Sequence, residues 1–321
     1  MRSVDHLDAI LGDARVAGLP VLPIGEGTNV LFAGDYPGLV LRLQLGGVVE
    51  TPADGDAMTI RAAAGERWPP LVRRTVARDW YGLENLTDIP GSVGAAPIQN
   101  IGAYGAELAD VLVEVDTYDL ADGGRATVAA ANCQLGYRSS VFKLQPDRRV
   151  VTSVVLRLQP ASRAEIRAGY PGVADQLRRL GAGARPTARQ LSDAIGQLRA
   201  QKLPDPATHP NAGSFFKNPV VAADVYAALH EQSAAPGWPV GDGAVKLSAA
   251  WLIEQCGLRG RRWGAVAVSR RHALVLVNEG CRSGQELVAA AAAIRDAVEE
   301  RFGVRLGTEV RVVESEERTS P

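Results

Sequence analysis

Apolar positions change from helical to strand-like spacing and back along the chain, which predicts an architecture of mixed helices and strands. Residues 4–17 carry apolar side chains three and four positions apart, as a helix with one buried face does. Residues 21–32 read VLPIGEGTNVLF, where two short apolar runs flank a glycine turn and predict strand, turn and strand. Residues 39–50 and 58–66 alternate as strands do. Residues 68–82 begin with prolines in the first turn and end in glycine, as a helix does.

The second half of the chain continues this mixture. A turn at Asp122-Gly123-Gly124 separates two predicted strands. The predicted strands are 111–120, 150–158, two within 264–280, and 304–313, and the predicted helices are the second half of 176–204, 248–260 and 283–303. Because these elements lack the strict alternation of a doubly wound parallel sheet, the sequence predicts the α+β class.

The length of the chain, 321 residues, is sufficient for two or three domains. Residues 202–219 contain four prolines, which exclude a helix and an inner strand because proline lacks the backbone donor. The sequence therefore predicts a stiff loop and a domain junction at this point.

Charge and composition exclude several classes of protein. Lys+Arg number 35 and Asp+Glu 36, a formal net charge of -1, whereas a dedicated nucleic-acid binder needs a basic excess to release counterions from phosphates. The longest uncharged stretch, 89–106, contains two prolines and four glycines, so we expect no membrane helix there. The N-terminus carries charges every few residues and no apolar signal core, which predicts a cytoplasmic protein.

The cysteines and histidines give no sign of a metal site or a disulfide framework. Three cysteines and four histidines are scattered along the chain, without C-x-x-C or any other metal-ligand spacing. We therefore expect no metal and a reducing compartment.

Two glycine-rich segments are candidates for ligand binding. The first, 25–29, fails the dinucleotide fingerprint because position 30 is valine and a strand follows it. Taken alone, it is a tight turn. The second, 89–105, has four glycines and small residues but no charge, so its backbone amides can approach a large ligand closely. An ordinary buried turn is the alternative for this segment, but the two together suggest a diphosphate held between loops.

Further blocks follow the two glycine segments in a fixed order along the chain. They are GYRSSVFK at 136–143, KLPDP at 202–206, NAGSFFKNP at 211–219, KLSAAWLIEQCGLRG at 246–260, HALVLVNEG at 272–280 and TEVR at 308–311. Together with IGEGTNVL and GLENLTDIPGSVGAAPIQNIGAYG, they make the chain resemble the UDP-N-acetylenolpyruvoylglucosamine reductase family. The resemblance extends over most of the chain and is to the longer form of the family, which has a substrate-covering tyrosine loop.

The resemblance implies a flavoenzyme that reduces the enolpyruvyl group of UDP-N-acetylglucosamine-enolpyruvate to UDP-N-acetylmuramate in peptidoglycan precursor synthesis. FAD is the implied cofactor and NADPH the implied hydride donor. The implied fold is α+β, with an FAD-binding fold of the vanillyl-alcohol-oxidase/PCMH type in two subdomains and a third, substrate-binding domain. The implied boundaries are 1–46 completed by 304–321 for the first subdomain, 47–203 for the second, and 204–303 for the substrate domain.

Three residues match the catalytic positions of the family. Arg138 matches the arginine that meets the substrate carboxylate, a task that suits a fixed guanidinium; outside its motif it would be an ordinary surface ion-pair partner. Ser214 matches the serine that protonates the carbanion, and on its own it would be a turn serine. Glu309 is expected on the final strand, on the same side as Arg305 and Arg311. The resemblance places it beside Arg138, and a solvated strand face is the alternative.

The resemblance also implies cofactor and substrate contacts. The implied cofactor contacts, all in the two glycine segments, are Gly25, Glu26, Gly27, Thr28, Asn29, Pro90, Gly91, Ser92, Gly94, Ala95, Gln99, Asn100, Gly102, Ala103 and Tyr104. The implied substrate contacts are Tyr170 in the covering loop, Lys202, Lys217, Asn218 and Gln255.

One departure from the family pattern concerns the first residues, and other functions remain open. The chain has no Asn-Thr-Phe-Gly stretch and no strand before its first predicted helix, which bears on FAD affinity more than on chemistry. The alternatives are a paralogous flavin enzyme, either an oxidase or a reductase of another sugar nucleotide, and a non-catalytic nucleotide-sugar binder. We expect a monomer whose partners are small molecules, a UDP-sugar and NADPH, with no nucleic acid and no membrane insertion.

Overall fold

A computed structural model describes residues 1–146 and 148–314 of the chain. They form two compact units, the first comprising residues 1–28 and 37–199, and the second residues 29–36 and the chain from Ala200 onward. The division into three domains stays a prediction, and the part of its first subdomain at 315–321 lies outside the described residues.

Helices and strands alternate irregularly along the described residues. The α-helices are α1 (Asp5–Leu11), α2 (Trp68–Val76), α3 (Val141–Leu144), α4 (Val173–Arg179), α5 (Ala188–Lys202), α6 (Ala223–Ser233), α7 (Ala249–Gln255) and α8 (Gly284–Phe302). The strands are β1 (Val21–Ile24), β2 (Val30–Phe32), β3 (Leu39–Arg42), β4 (Val48–Pro52), β5 (Met58–Ala63), β6 (Trp80–Tyr81), β7 (Gly102–Ala103), β8 (Ala106–Glu107), β9 (Leu112–Asp119), β10 (Arg125–Ala129), β11 (Arg149–Pro160), β12 (Asn211–Ser214), β13 (Val220–Ala222), β14 (Gly237–Pro239), β15 (Ala244–Leu247), β16 (Arg262–Trp263), β17 (Val266–Val268), β18 (Val275–Asn278) and β19 (Arg311–Val313). Short 3-10 helices lie at Asp54–Asp56, Glu84–Leu86, Val93–Ala95, Pro97–Gln99, Leu108–Asp110 and Ala130–Asn132.

The first unit is built on a six-stranded antiparallel sheet. Its strands follow the order β10-β9-β11-β5-β4, and β6 pairs with the end of β11. Helix α2 buries Trp68, Leu71, Val72 and Val76 at helical spacing, so one apolar face of the helix joins the core of this unit. A separate parallel pair, β1 and β3, leads into the first glycine turn.

A second, smaller apolar cluster in this unit joins α4 and α5. Its buried members are Val173, Leu177, Leu191, Ala194, Ile195 and Leu198. Tyr104 from the second glycine segment packs against the cluster, as do Ile166 and Ala168 from the loop before α4. The cluster therefore supports both the second glycine segment and the loop before α4.

The second unit contains three sheets and the longest helix. Antiparallel strands form a four-stranded sheet, β12-β18-β17-β16, and a three-stranded sheet, β13-β15-β14, while β19 pairs in parallel with β2. Helix α8 packs Leu287, Ile294 and Val298 into the core. A capping box between Ser283 and Glu286 begins this helix, and Gly303, at φ 65°, ends it.

Most elements predicted from the spacing of apolar positions are confirmed, including the helices within 176–204 and 283–303 and the two strands within 264–280. The exclusion of an inner strand from 202–219 is consistent with the structure, since β12 lies at an edge of its sheet. The prediction of a loop over all of 202–219 is wrong at β12. No helix in the described ranges is both long and apolar enough to cross a membrane.

Several predicted elements differ in extent from the structure, and the helix predicted at 4–17 already ends at Leu11. Residues 39–50 form two strands, because Gly47 at φ +130° interrupts the run and β3 and β4 pair with different partners. Helix α2 ends at Val76, before the predicted end at residue 82, because Asp79 takes φ +57° and β6 then pairs with β11. The turn at 122–124 leads into β10, a hairpin strand that the sequence pattern missed.

We expect Gly284→Ala to destabilise the second unit. A Cβ on Gly284 would lie 2.0 Å from the carbonyl oxygen of Phe32, so the start of α8 would have to move off β2. Overpacking of this kind costs about 1–3 kcal/mol, which urea unfolding monitored by circular dichroism would measure. Gly183→Ala is the control, because its added Cβ meets nothing within 4 Å. Equal unfolding midpoints for the two variants would contradict the expectation.

Candidate functional site

The two glycine segments of the first unit contact each other directly. A Cβ on Gly25 would lie 2.0 Å from the hydroxyl oxygen of Ser92 and 3.1 Å from its Cβ, so a larger residue at position 25 would have to displace the Ser92 side chain. The Thr28 hydroxyl donates to the carbonyl of Pro90 at 3.3 Å, and Thr28 Oγ1 would lie 3.1 Å from a Cβ on Gly91. The sequence predicted both segments, and the structure brings them together.

The second glycine segment is also fixed to the turn that follows β5. The Gly94 N–H donates to the Ala64 carbonyl at 2.9 Å, and the Val93 N–H donates to the Glu66 carbonyl at 2.8 Å. A Cβ on Gly94 would lie 2.5 Å from that of Ala64, while the neighbouring Ala95 is exposed. Backbone contacts thus determine where this segment sits.

The junction of the two segments fits a polar ligand such as FAD. The Ser92 hydroxyl belongs to a side chain that is 3% exposed, and among the described residues it has no hydrogen-bond partner. An unpaired buried hydroxyl costs about 1–3 kcal/mol, which a ligand oxygen would offset. Gly27, at φ +73°, has open space where a Cβ would stand, and Glu26 beside it accepts from Arg67 Nε at 2.7 Å.

The end of the second glycine segment forms a short hairpin. Gly102 and Ala103 pair as β7 with β8, and Tyr104 occupies its turn at φ +51°. The carbonyl of Gly102 accepts from Arg138 Nη2 at 2.9 Å. The predicted catalytic arginine thus contacts the predicted cofactor segment.

Arg138 lies in a turn that is itself held against this segment. Gly136 and Ser139 exchange two backbone hydrogen bonds of 3.1 Å, which leaves Arg138 at φ +53°. The buried Ser140 hydroxyl donates to the Ile98 carbonyl at 2.6 Å. Because the turn is anchored on both sides, the guanidinium group starts from a fixed backbone.

Asn100 and Gln99, both predicted cofactor contacts, have protein partners. Asn100 is fully buried at φ 47°, and its Nδ2 donates to Glu107 Oε2 at 2.8 Å and to the Gly136 carbonyl at 3.3 Å. Lys143 Nζ donates to Gln99 Oε1 at 3.4 Å. The side chain of Asn100 therefore organises the loop, whatever its backbone contributes to a cofactor.

The second unit brings Ser214 and Glu309 next to each other through their backbones. Ser214 ends β12, and the carbonyl of the following residue, Phe215, accepts from the Glu309 N–H at 2.8 Å. Phe216 and Thr308 form an antiparallel bridge in the same pairing. These two predicted catalytic residues thus lie on adjacent backbone segments.

The expectation that Glu309 lies within the final strand is wrong. Strand β19 begins only at Arg311, because it pairs in parallel with β2, whereas residues 307–309 pair with the segment after β12. Asn29, a predicted cofactor contact, donates from its side-chain Nδ2 to the Glu309 carbonyl at 3.4 Å. Its backbone carbonyl accepts from the Arg311 N–H at 3.0 Å. Asn29 therefore holds the backbone between the two pairings.

The predicted substrate residues of the second unit occupy several elements. Lys217 lies in the segment beside Ser214, and its N–H donates to the Gly307 carbonyl at 2.8 Å. Asn218 accepts the Ala249 N–H on Oδ1 at 3.0 Å, which directs its NH₂ group the other way. Gln255 is exposed at the end of α7.

Lys202 ends α5 beside a histidine that sequence reasoning did not select. Burial lowers the pKa of His272, and the nearby charges of Lys202 and Arg259 lower it further. The ring accepts the Leu274 N–H on Nδ1 at 3.2 Å. His272 is therefore neutral at neutral pH.

The predicted covering residue Tyr170 contacts the cofactor segment in the first unit. Its ring meets that of Tyr104 edge to face, with centroids 5.0 Å apart. Tyr170 is 44% exposed, and burial raises the pKa of Tyr104. The pair thus presents one ring to solvent and keeps the other inside. Among the described residues, no group of three or more His, Cys, Asp or Glu side chains could hold a metal ion.

Comparison with known proteins identifies the family of this chain. Residues 205–313 match the family described as UDP-N-acetylenolpyruvoylglucosamine reductase, C-terminal domain, and residues 1–129 match the FAD binding domain family. The chain is 48% identical over 305 residues to the UDP-N-acetylenolpyruvoylglucosamine reductase of Chromobacterium violaceum, covering 94% of this chain and 89% of that protein. The chain belongs to the UDP-N-acetylenolpyruvoylglucosamine reductase family.

Further relatives agree with this assignment. The reductase of Paraburkholderia phytofirmans is 47% identical over 308 residues, covering 95% of this chain and 88% of that protein. The crystal structure of UDP-N-acetylenolpyruvylglucosamine reductase from Thermus caldophilus superposes with a TM-score of 0.63 at 22% identity, covering 97% of this chain and 90% of that one. The resemblance and the α+β FAD-binding fold inferred from the sequence are therefore confirmed.

Sequence reasoning missed three buried polar residues that organise the site of this family member. Ser140 anchors the Arg138 turn, Asn85 donates to two loop carbonyls, and Glu84 accepts the Gly82 N–H at 2.6 Å. Each lies inside a block that was singled out for other residues. The sequence signal that could have identified them is a polar residue within a stretch that is otherwise apolar or glycine-rich.

We expect Ser92→Ala to change apoprotein stability and FAD affinity in opposite directions. Removing an unpaired buried hydroxyl stabilises the apoprotein by about 1 kcal/mol in urea unfolding, because its desolvation is no longer uncompensated. Removing the partner of a ligand oxygen weakens FAD binding about tenfold in a flavin fluorescence titration. Ser140→Ala is the control, since its hydroxyl is paired and its loss should destabilise the apoprotein. An apoprotein destabilised by both changes would contradict the expectation.

We expect Glu84→Gln to gain stability over the wild type as pH rises. Burial raises the pKa of Glu84, which is 2% exposed, above the value it has in the unfolded chain. The folded state therefore holds this proton more tightly, and wild-type stability falls as pH rises through the raised pKa. Glutamine keeps an acceptor for the Gly82 N–H without this cost. Urea unfolding at several pH values between about 4 and 8 would show the two curves diverging, and Glu165→Gln, at a side chain 82% exposed, is the surface control.

Proposed function

We propose that the protein reduces the enolpyruvyl group of UDP-N-acetylglucosamine-enolpyruvate to give UDP-N-acetylmuramate, using FAD and NADPH. The observation that carries the proposal is the hydrogen bond from the Glu309 N–H to the Phe215 carbonyl, 2.8 Å long, which sets Glu309 opposite the residue after Ser214. A proton donor and a carboxylate on adjacent backbones suit the second half of an enol ether reduction. Such a reaction belongs to the cytoplasm, where NADPH is available.

FAD, when bound, would supply the hydride chemistry that links NADPH to the enolpyruvyl double bond. The two glycine segments would hold it, with Gly27 leaving open space for close approach and Ser92 donating to one of its oxygens. All other chemistry falls to side chains of this chain.

Arg138 has the role of binding the substrate carboxylate and stabilising the negative charge that develops next to it. A guanidinium group stays charged throughout and can donate two parallel hydrogen bonds to one carboxylate. Its turn is anchored to the cofactor segment by the Ser140 and Arg138 hydrogen bonds. A charge that is already oriented needs little reorganisation when the substrate reacts.

Ser214 has the role of proton donor to the carbon beside the carboxylate. A hydroxyl is a weak acid, but the enolate carbon that follows hydride addition is basic enough to take its proton. Gly213, at φ +75°, and the bond from its N–H to Asn211 Oδ1 at 2.9 Å shape the turn that presents Ser214. Glu309 polarises the substrate from the neighbouring segment.

The substrate contacts and the domain division belong to the same proposal. Lys202 and Lys217 provide point charges for the UDP diphosphate and the enolpyruvate, and Asn218 and Gln255 provide polar contacts. Tyr170 covers the bound substrate. Residues 204–303 act as the substrate domain. Residues 1–46 together with 304–321 act as the first FAD subdomain, and residues 47–203 act as the second.

We expect Ser214→Ala to separate the two half-reactions. NADPH still bleaches the flavin absorbance near its wild-type rate, because no proton from Ser214 is needed there. Reoxidation by UDP-N-acetylglucosamine-enolpyruvate slows by about 10²–10⁴-fold, which is the usual contribution of a positioned acid. Stopped-flow absorbance measures both rates.

The control for this experiment is Ser233→Ala, which removes a hydroxyl bonded within α6 and leaves both rates unchanged. Fast reoxidation of the Ser214 variant would remove Ser214 from the mechanism. A wild-type protein whose reduced flavin is not reoxidised by this substrate would overturn the proposed function itself.

A further inference from the structure

A buried asparagine joins the two segments that carry the tyrosine pair. Asn85 is 2% exposed and lies in the 3-10 helix before the second glycine segment. Its Nδ2 donates to the Tyr104 carbonyl and to the Arg167 carbonyl, each at 2.8 Å. One NH₂ group thereby pairs both of its hydrogens with two chain segments that are distant in sequence.

The amide orientation of Asn85 follows from its partners. Both partners are carbonyl oxygens, which only accept, so the NH₂ end must face them and the opposite orientation would leave both carbonyls without a donor. A buried carbonyl without a donor is costly. Neither an aspartate nor an apolar side chain can make this bridge.

Other contacts hold the same two segments together and leave the pair accessible. We call residues 161–172, between β11 and α4, the Tyr170 loop. The Arg167 side chain donates to the Gly105 carbonyl at 3.3 Å and pairs with Asp110. The hydrogen bond to Asp110 raises the pKa of Arg167. Ile166, like Tyr104, packs against the α4–α5 cluster. The loop is thus attached at its centre, and Tyr170 extends beyond the attachment.

We propose that Asn85 is a positioning residue that anchors the centre of the Tyr170 loop on the cofactor segment, so that Tyr170 reaches a nucleotide-sugar from a fixed point beside Tyr104. The inference deepens the proposed function and rests on it, since it assigns the pair to that substrate. The hydrogen bonds of Asn85 go to the backbones of Tyr104 and Arg167. Anchoring the centre of the loop lowers the entropy cost of ordering its remainder on each binding event.

The position of the pair suggests which step Asn85 serves. Tyr170 is 44% exposed, so its outer surface is free to cover a ligand. Behind the pair, the charge of Arg199 lies close enough to Tyr104 for each to affect the other's pKa. An aromatic cover with a cation behind it suits an anionic sugar nucleotide, so Asn85 should affect substrate binding more than flavin reduction.

The test compares Asn85→Ala with Thr87→Val in the FAD-loaded enzyme. Thr87 is a matched control because it is equally buried, lies two residues away, and shares a 2.6 Å hydrogen bond with Ser192 that involves neither segment. For Asn85→Ala we expect KM for UDP-N-acetylglucosamine-enolpyruvate to rise about tenfold. The rate of flavin bleaching by NADPH stays within about twofold of wild type. Thr87→Val should leave both KM and the bleaching rate near wild type, even if its melting temperature falls as far as that of Asn85→Ala.

Hydrogen exchange gives a readout that does not require turnover. Amides of the Tyr170 loop should exchange about tenfold faster in Asn85→Ala, while those of β9 and β11 keep their protection. Arg167→Gln is a second variant at a side chain 33% exposed, and it should raise KM and loop exchange in the same direction because it removes the other attachment.

Each outcome decides one question. An unchanged KM in Asn85→Ala, or an equal rise in Thr87→Val, would overturn the positioning role. Unchanged loop exchange in both Asn85→Ala and Arg167→Gln would overturn it as well. If the wild-type enzyme does not turn over the enolpyruvyl substrate, the proposed function fails, and the exchange comparison still decides whether Asn85 fixes the loop.

Discussion

The cofactor half of this protein depends on the hydrogen bonding of one irregular, uncharged segment, residues 89–105. Its short 3-10 helices and the two-residue strand β7 leave buried carbonyls that need donors from elsewhere. Here the donors are the Trp68 N–H for Gly91, the Ser140 hydroxyl for Ile98, Arg138 for Gly102 and Asn85 for Tyr104. The segment keeps its shape because residues from three other parts of the first unit complete its hydrogen bonds.

The same requirement explains the arrangement of the second unit around Ser214. The backbone after β12 is paired on both sides, since the Phe215 N–H donates to the Leu274 carbonyl and the Phe215 carbonyl accepts from Glu309. Phe215 and Phe216 bury their rings, 3% and 1% exposed, which pins the segment further. The backbone that carries Ser214 therefore has little freedom to move away from its neighbour.

Much of this arrangement could be predicted, and the failures have physical reasons. Apolar spacing predicted α8 and the β17–β18 hairpin, because the exposed and buried faces of these elements differ in polarity. The extents of β3, α2 and β19 were missed. Each is limited by a single residue with positive φ or by the choice of pairing partner, and neither of these follows from periodicity. The motif residues Gly25, Ser92 and Arg138 were found, but the bridging role of Asn85 depends on a fold that joins residues 85, 104 and 167.

The pairing of β2 with β19 has a consequence for the synthesis of this protein. Residues 30–32 find their partner at residues 311–313, near the other end of the chain. A ribosome adding about 5–20 residues per second needs tens of seconds to cover that interval. The β2 strand therefore leaves the ribosome long before its partner exists, and its edge needs shielding until the last strand is made. Completion of the second unit therefore waits for the synthesis of β19, and a chain that stops short of β19 leaves that edge permanently open.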